Sequence, residues 1–395
     1  MKLGKLTLVV SAILAAPCAL AEVEVYGKVY PELFSLSSSG ATAAGATVST
    51  LSAAPTGLEI KSRLGQSANN SRIGFKGKEA LGGGLDAIYQ IETQVNTDDG
   101  TGTALATRNS FVGLTSAAGT LMIGINDTPF KRTNDSLSFF GISSGNFVST
   151  STIMRKVGFG TSSSSSFHLR RRNSVDYETP DMNGVAAAVQ WSTDEAISAT
   201  NDKIPTALSM GVWYDKGPLY VGLAYESHDN FFAGSRNVGA ALRNNGAASG
   251  ASSKDTAMQA SVKYKFGGHQ VEVNVIQKNY TEDPIAAGRF KSYKNTAYSL
   301  GMESRLAGNW RAAFHFLKAQ AGTCERGGGA ACDATGLDGT QISLGTAYDF
   351  NKNTMAFAFL SRVTNGTSAV FNTSDVDPAA GADLQILAAG LSYRF

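Results

Sequence analysis

Along most of this chain, apolar and polar residues alternate one for one, the period of a strand with one apolar face. The last stretch shows it best. In D-L-Q-I-L-A-A-G-L-S-Y-R-F (Asp383–Phe395), the residues Leu387, Ala389, Leu391, Tyr393 and Phe395 fall on one face, and the other ends polar with Ser392 and Arg394. The opening of the chain repeats the pattern, with Val23, Val25, Val29 and Leu33 on one face and Glu24, Tyr26, Lys28, Tyr30 and Glu32 on the other. Pro31 removes a ladder hydrogen bond and predicts a strand end or a bulge there. The following Ser/Ala/Gly/Thr-rich stretch, to about Gln66, reads as a long exposed loop. From Ser71 onward strands are joined alternately by short turns, such as Leu81–Gly84 and Ala117–Gly119, and by long polar loops.

Counting the alternating segments gives about sixteen strands. Their even number and the short–long asymmetry of their connections predict an all-β, antiparallel up-and-down barrel in a membrane, with short turns on one side and long loops on the other. A soluble β-sandwich would need neither that asymmetry nor aromatics at the strand ends, as in Tyr264/Phe266, Tyr348/Phe350 and Tyr393/Phe395. An aromatic C-terminus suits a lipid interface better than water. Because an open strand edge cannot persist in hydrocarbon, Asp383–Phe395 is expected to pair with Glu22–Leu33.

Composition sharpens this picture. The 395 residues include 43 Gly, 9 Pro and 17% charged residues, and mean hydropathy is −0.08. That is too polar for helical spans and about what alternating lipid-facing and water-facing positions average to. Residues 1–21 read as a secretory signal peptide: Lys2 and Lys5, an apolar run Leu6–Ala16, and the small-x-small site Ala19-Leu20-Ala21. Pro17 before Cys18 argues against a lipid anchor. Cleavage leaves 32 basic against 32 acidic residues in 22–395, so function rests on how charge is arranged. In an exported chain, Cys324 and Cys332 predict a disulfide closing a small loop. They make a poor metal site, and no cofactor is expected.

Three blocks carry a resemblance: Ser71–Glu92 (S-R-I-G-F-K-G-K-E-A-L-G-G-G-L-D-A-I-Y-Q-I-E), Arg108–Leu114 (R-N-S-F-V-G-L) and Arg171–Pro180 (R-R-N-S-V-D-Y-E-T-P). With the opening V-E-V-Y-G and the closing L-S-Y-R-F, the chain resembles the Gram-negative general diffusion porins of the neisserial and Burkholderia type. The resemblance implies a sixteen-stranded homotrimer in the outer membrane, contacting its lipid and lipopolysaccharide. It also implies passive diffusion of ions and small hydrophilic solutes, and a third extracellular loop folded into the lumen. It further implies that Phe395, with Tyr393, forms part of the signal read by the barrel-assembly machinery. One departure stands out: where such porins often carry G-R-Q or G-R-L after the fifth strand, this chain has Gly124-Ile125-Asn126.

The long interval 126–168, without a clean strand pattern, is the expected constriction loop. Alternation around Val175 and Tyr177 sends Arg170, Arg172, Ser174, Asp176 and Glu178 into the lumen, and puts Lys28, Arg72 and Lys76 on the inner wall of the first two strands. Facing Asp127 and Asp135 of the loop, these bases would set a field across a water-filled neck. With Lys131, Arg132, Arg155 and Lys156 also on the loop, the balance predicts weak anion preference. The competing reading is an outer-membrane hydrolase, because Gly141-Ile142-Ser143-Ser144-Gly145 matches G-x-S-x-G with Ser143 as nucleophile. That motif needs a strand before it and a helix after it, and the sequence offers neither. The Arg170–Arg172 run is too short, in a chain of balanced charge, to indicate nucleic acid.

Overall fold

The computed structural model describes residues 22–42, 57–68, 70–100, 104–135, 139–140, 153–159, 167–193, 204–230, 252–283, 285–373 and 376–395. The signal-peptide reading of 1–21 lies outside them. The described chain forms one sheet rolled into a closed barrel of sixteen antiparallel strands. Three strands are interrupted. Strand β1 runs Glu22–Val29 and Glu32–Ser39, β2 runs Arg63–Ser67 and Arg72–Gly82, and β13 runs Trp310–Ala319 and Thr323–Arg326. The first half continues with β3 (Leu85–Gln94), β4 (Ser110–Ser116), β5 (Gly119–Asp127), β6 (Arg170–Glu178), β7 (Val185–Thr193) and β8 (Thr206–Lys216). The second half holds β9 (Leu219–Asp229), β10 (Ser252–Phe266), β11 (His269–Asp283), β12 (Phe290–Arg305), β14 (Gly339–Asp349), β15 (Thr354–Asn365) and β16 (Asp383–Arg394). A short α-helix, α1 (Pro129–Asp135), follows β5.

The barrel closes where β16 meets β1, as expected, but the paired stretch of β1 is displaced toward Ser39, so that only part of Glu22–Leu33 takes part. The register runs from Asp383↔Ser39 to Gly390↔Glu32 and resumes at Val29↔Tyr393 and Lys28↔Arg394. Glu22–Gly27 instead pair with β2, from Glu22↔Lys78 to Gly27↔Ile73. The strand is interrupted at Tyr30-Pro31, as the proline predicts, but does not end there. The proline lacks an N–H, yet its carbonyl accepts from the Leu391 N–H at 3.2 Å, so the chain kinks and continues to Ser39. The Ser-rich stretch read as loop therefore begins as strand, and Arg63–Ser67 within it pairs back onto Glu32–Leu36.

The terminal residue seals this seam. Gly27 and Phe395 exchange backbone hydrogen bonds of 3.0 and 3.2 Å. The Phe395 ring lies where a Cβ at position 27 would stand, so only glycine leaves room for it.

Side chains sort by face as a spanning barrel requires. Outward positions are apolar and exposed, for example Val112, Leu114, Ile123, Met258, Leu300, Leu344 and Leu387. Toward the short-turn end they give way to rings: Tyr264 and Phe266 at 6.2 Å, Trp310 and Tyr348 at 5.1 Å, Tyr393 and Phe395 at 6.2 Å. The packed interior lies inside the barrel, where Phe130, Phe139, Phe140, Phe159 and Phe167 meet the inner wall. No described helix is long and apolar enough to cross a membrane, so strands make the span.

The seam yields a test. Gly27→Val should displace the Phe395 ring and lower the yield of heat-resistant folded barrel on denaturing gels, and the double variant Gly27→Val/Phe395→Ala should recover part of it. A Gly27→Val protein as heat-resistant as the wild type would contradict this packing.

Candidate functional site

The chain leaves β5 and turns inward through α1. Thr128 caps that helix, its Oγ1 accepting from the Lys131 N–H at 3.1 Å, and Pro129 takes the first helical position, where a missing N–H costs nothing. The Thr-Pro pair was a legible helix start that the reading of 126–168 as irregular loop missed. Three hydrogen bonds to its backbone help fix α1 to the inner wall. The Phe130 N–H donates to Ser209 Oγ (3.1 Å), Gln259 Nε2 donates to the Phe130 carbonyl (3.1 Å), and the Tyr220 hydroxyl donates to the Thr133 carbonyl (2.6 Å).

Farther along, the loop reaches the short-turn end. Phe139 packs in the gap left by Gly301 and lies 5.2 Å from the His315 ring. The Phe140 N–H donates to Glu303 (2.9 Å), and the Arg311 guanidinium stacks 5.5 Å from the Phe140 ring. Arg311 is itself held by Asp349 through two bonds (2.8 and 2.7 Å) and by Glu303 (3.0 Å). Such paired, charge-assisted bonds are the strong kind.

The returning limb, 153–159, is tied to β11 and to two long loops. Lys278 is fully buried, and its ammonium donates to the carbonyls of Met154 (2.9 Å) and Lys156. A buried ammonium left without acceptors would cost several kcal/mol; here the loop backbone supplies them. The Val370 N–H donates to the Gly158 carbonyl (2.9 Å), and Lys156 bonds to Asn372. Burial, and secondarily Arg155, pull Lys156 down to about 8. Burial, with the charges of Arg155, Lys278 and Lys131 nearby, holds His168 well below its ordinary value, so it stays neutral at physiological pH. Cys324 and Cys332 form the expected disulfide, Cα to Cα 5.8 Å. Its loop docks on the β11–β12 loop, with Arg326 Nε donating to the Gly288 carbonyl at 2.8 Å.

The described parts of the loop thus lie mainly against β8–β13, with Lys131 and Arg132 of α1 reaching back to β5 and β6. The opposite wall, β1 to β6, carries the predicted charges in an arrangement that differs from the expected one. Arg72 lies 3.4 Å from Glu92, Arg108 pairs with the same carboxylate, and Tyr26 donates to it at 3.0 Å. Lys28 is buried with its ammonium 4.5 Å from the centre of the Tyr30 ring. Lys76 bonds Glu24 (3.0 Å) nearer the rim.

Asp127 does not oppose these bases from across the lumen. It is clasped by Lys131 (2.6 Å) and Arg170 (3.0 Å), on the same side. Arg132 pairs with Glu178. Asp135 ends α1, and its side chain lies outside the described residues.

Arg172 does not follow the simple alternation. The register shifts by one between β5 and β6, and Asn173 takes φ 51°. Ser174, Asp176 and Glu178 keep the inward side, with Asp176 held by Asn126 (3.1 Å), Ser174 (2.9 Å) and Gln190 (2.7 Å). Beyond the bulge Arg171 takes that side, its Nε donating to Ser192 Oγ at 3.3 Å, while Arg172 is exposed. A bulge of this kind leaves no mark in a period-two pattern. Arg108 and Glu92 were likewise missed as partners, because the pairing of β2, β3 and β4 that joins them is a property of the fold.

A closed sixteen-stranded barrel with a loop packed inside it admits several lineages, and similarity decides among them. Residues 7–368 match the family described as Gram-negative porin. The chain belongs to the Gram-negative porins. Relatives include the major outer membrane protein P.IB of Neisseria gonorrhoeae, 29% identical over 141 residues, or 35% of this chain and 37% of that protein. Outer membrane porin protein 32 of Delftia acidovorans is 29% identical over 158 residues, or 40% and 44%. The matched stretches thus span under half the length of these relatives. Among solved structures, the anion-selective porin from Comamonas acidovorans superposes with a TM-score of 0.72 at 20% identity, covering 95% of this chain and all of that one. OmpT of Vibrio cholerae in its trimer form gives 0.61 at 15% identity, covering 95% and 99%. Family and fold place this porin in the bacterial outer membrane, with its short turns periplasmic and long loops extracellular. They also set aside the hydrolase reading, since the matched proteins are porins; Ser143 itself lies outside the described residues.

Lys278→Met keeps the bulk of the side chain but strips two loop carbonyls of their donor, at about 1–3 kcal/mol for each buried group left unpaired. Single-channel records of this variant should show larger open-state current fluctuations in an intact barrel. Noise equal to the wild type would mean that Lys278 does not hold the loop.

Proposed function

We propose that this porin forms a water-filled channel for passive diffusion of ions and small hydrophilic solutes, with 126–168 as its constriction loop and a weak preference for anions. Residues 1–21 act as the export signal, Phe395 and Tyr393 contribute to recognition by the assembly machinery, and the working unit is a homotrimer. The trimeric form of OmpT, which shares the fold, supports that last point.

The observation that carries the selectivity is how acids are shared on the β1–β6 wall. Glu92 serves both Arg72 and Arg108, Asp127 serves both Lys131 and Arg170, and Lys28 has Arg72, Arg108 and Arg394 as its electrostatic neighbours. Around Glu92 two guanidinium groups draw on one carboxylate, which leaves one positive charge in excess there. In water, one charge about 8 Å from a passing ion contributes about 0.5 kcal/mol. That charge attracts a monovalent anion and repels a cation by the same amount, about 1 kcal/mol between the two, or about fivefold at low salt. At about 0.1 M the screening length falls to about 10 Å and the bias shrinks, hence weak preference. The Comamonas neighbour, titled anion-selective, agrees in kind.

A potassium chloride gradient across a bilayer holding the purified protein should give a reversal potential of the anion-selective sign. The variant Arg72→Gln/Arg108→Gln, which leaves Glu92 without its two cations, should move that potential toward or past zero. Cation selectivity of the wild type, or an unchanged potential in the double variant, would contradict the assignment. Openings in threes of equal size would report the trimer.

A further inference from the structure

The periplasmic mouth holds a second basic feature, which meets the β1–β6 wall at Arg394. Between the short turns 306–309 and 350–353 lies a cavity of about 640 Å³, roofed by Phe140 of the infolded loop and lined by Arg305, Arg311, Lys352 and Arg394. Its one lining acid, Asp349, is occupied by Arg311 through two hydrogen bonds, and nearby Glu303 accepts from both Arg311 and the Phe140 N–H. Arg305, Lys352 and Arg394 are exposed, and none has a carboxylate partner within ion-pair distance among the described residues. Asp349 and Glu303 share the one guanidinium of Arg311 and so keep one negative charge, and the three outer cations leave this bounded space with two positive charges in excess. Asn351 and Asn353 of the turn line the same space and offer amide donors.

We propose that this cavity is a binding site for small multivalent anions, of the di- or tricarboxylate and phosphate-ester class. A monovalent ion satisfies one such cation and passes on. A compact ion carrying two or three charges engages several together, and guanidinium groups match carboxylate and phosphate oxygens two at a time. The site lies beneath Phe140 at the periplasmic end of the inner wall. An ion resting there occludes the path below the constriction and is reached more readily from the periplasm than through the neck. Multivalent anions thus block this porin asymmetrically, a property distinct from the chloride preference assigned to the β1–β6 wall, though it rests on the protein being a channel.

Citrate serves as the probe, added in turn to each side of a bilayer carrying wild-type channels in potassium chloride. From one side, citrate is expected to produce brief current interruptions at a half-blocking concentration at least tenfold lower than from the other. In Arg305→Gln/Lys352→Gln, the stronger side should lose about tenfold in apparent affinity while the chloride reversal potential changes little. Lys352→Glu, a single change in an exposed turn that carries little folding risk, should have the same effect. Absence of block, equal block from both sides, or unaltered asymmetric block in these variants would overturn the site. A cation-selective reversal potential combined with asymmetric citrate block would instead overturn the selectivity assignment and leave this site standing.

Discussion

Every other feature of this protein depends on one constraint: in hydrocarbon, a backbone N–H or carbonyl without a partner costs several kcal/mol, so a sheet that spans the membrane must have no edge. The chain meets that constraint at its two ends. Its last strand pairs with its first across Pro31, and the final residue exchanges two hydrogen bonds with Gly27. Only a closed wall of fixed circumference can then hold a loop inside it, because the loop has no core of its own to bury.

Inside the barrel, the same demand for satisfied polar groups shapes the loop. Its turns bring backbone carbonyls and N–H groups into a dry interior, and the wall answers with Ser209, Tyr220, Gln259, Lys278 and Glu303. These residues are polar strand positions that a period-two pattern marks only as inward. Small residues make room opposite the loop's rings, as Gly301 does for Phe139. The lumen is thereby divided: loop mainly against β8–β13, and charged side chains along β1–β6. On that charged wall Glu92 and Asp127 are each held by two cations, whereas Glu24 and Glu178 are held by one each.

The alternation in the sequence was enough to read the strands, their outward faces and the short–long rhythm of their connections. The block Ser71–Leu114 was enough to point at the family. What stayed hidden has physical causes. Pro31 was expected to mark a strand end or a bulge; the strand is interrupted there but resumes, because the neighbouring strand uses the proline carbonyl. Arg172 was assigned by counting in twos, and the bulge at Asn173 shifted that count. Asp127 was read as an acid facing a basic wall, but its partners Lys131, one helical turn on, and Arg170, across the β5–β6 pair, belong to a geometry that appears only when α1 forms. Arg108 and Glu92 stand 16 residues apart in sequence and meet only in the folded sheet.

With the infolded loop packed mainly on β8–β13, the open path is left along the β1–β6 wall. Introduced cysteines test it directly. Lys76, whose side chain is 46% exposed, stands on the first wall, and Gln259, only 4% exposed, stands under α1 on the second. A charged methanethiosulfonate reagent added to open channels should lower conductance in discrete steps for Lys76→Cys and leave Gln259→Cys unchanged. Steps at Gln259→Cys, with none at Lys76→Cys, would place the path on the other wall and contradict the account.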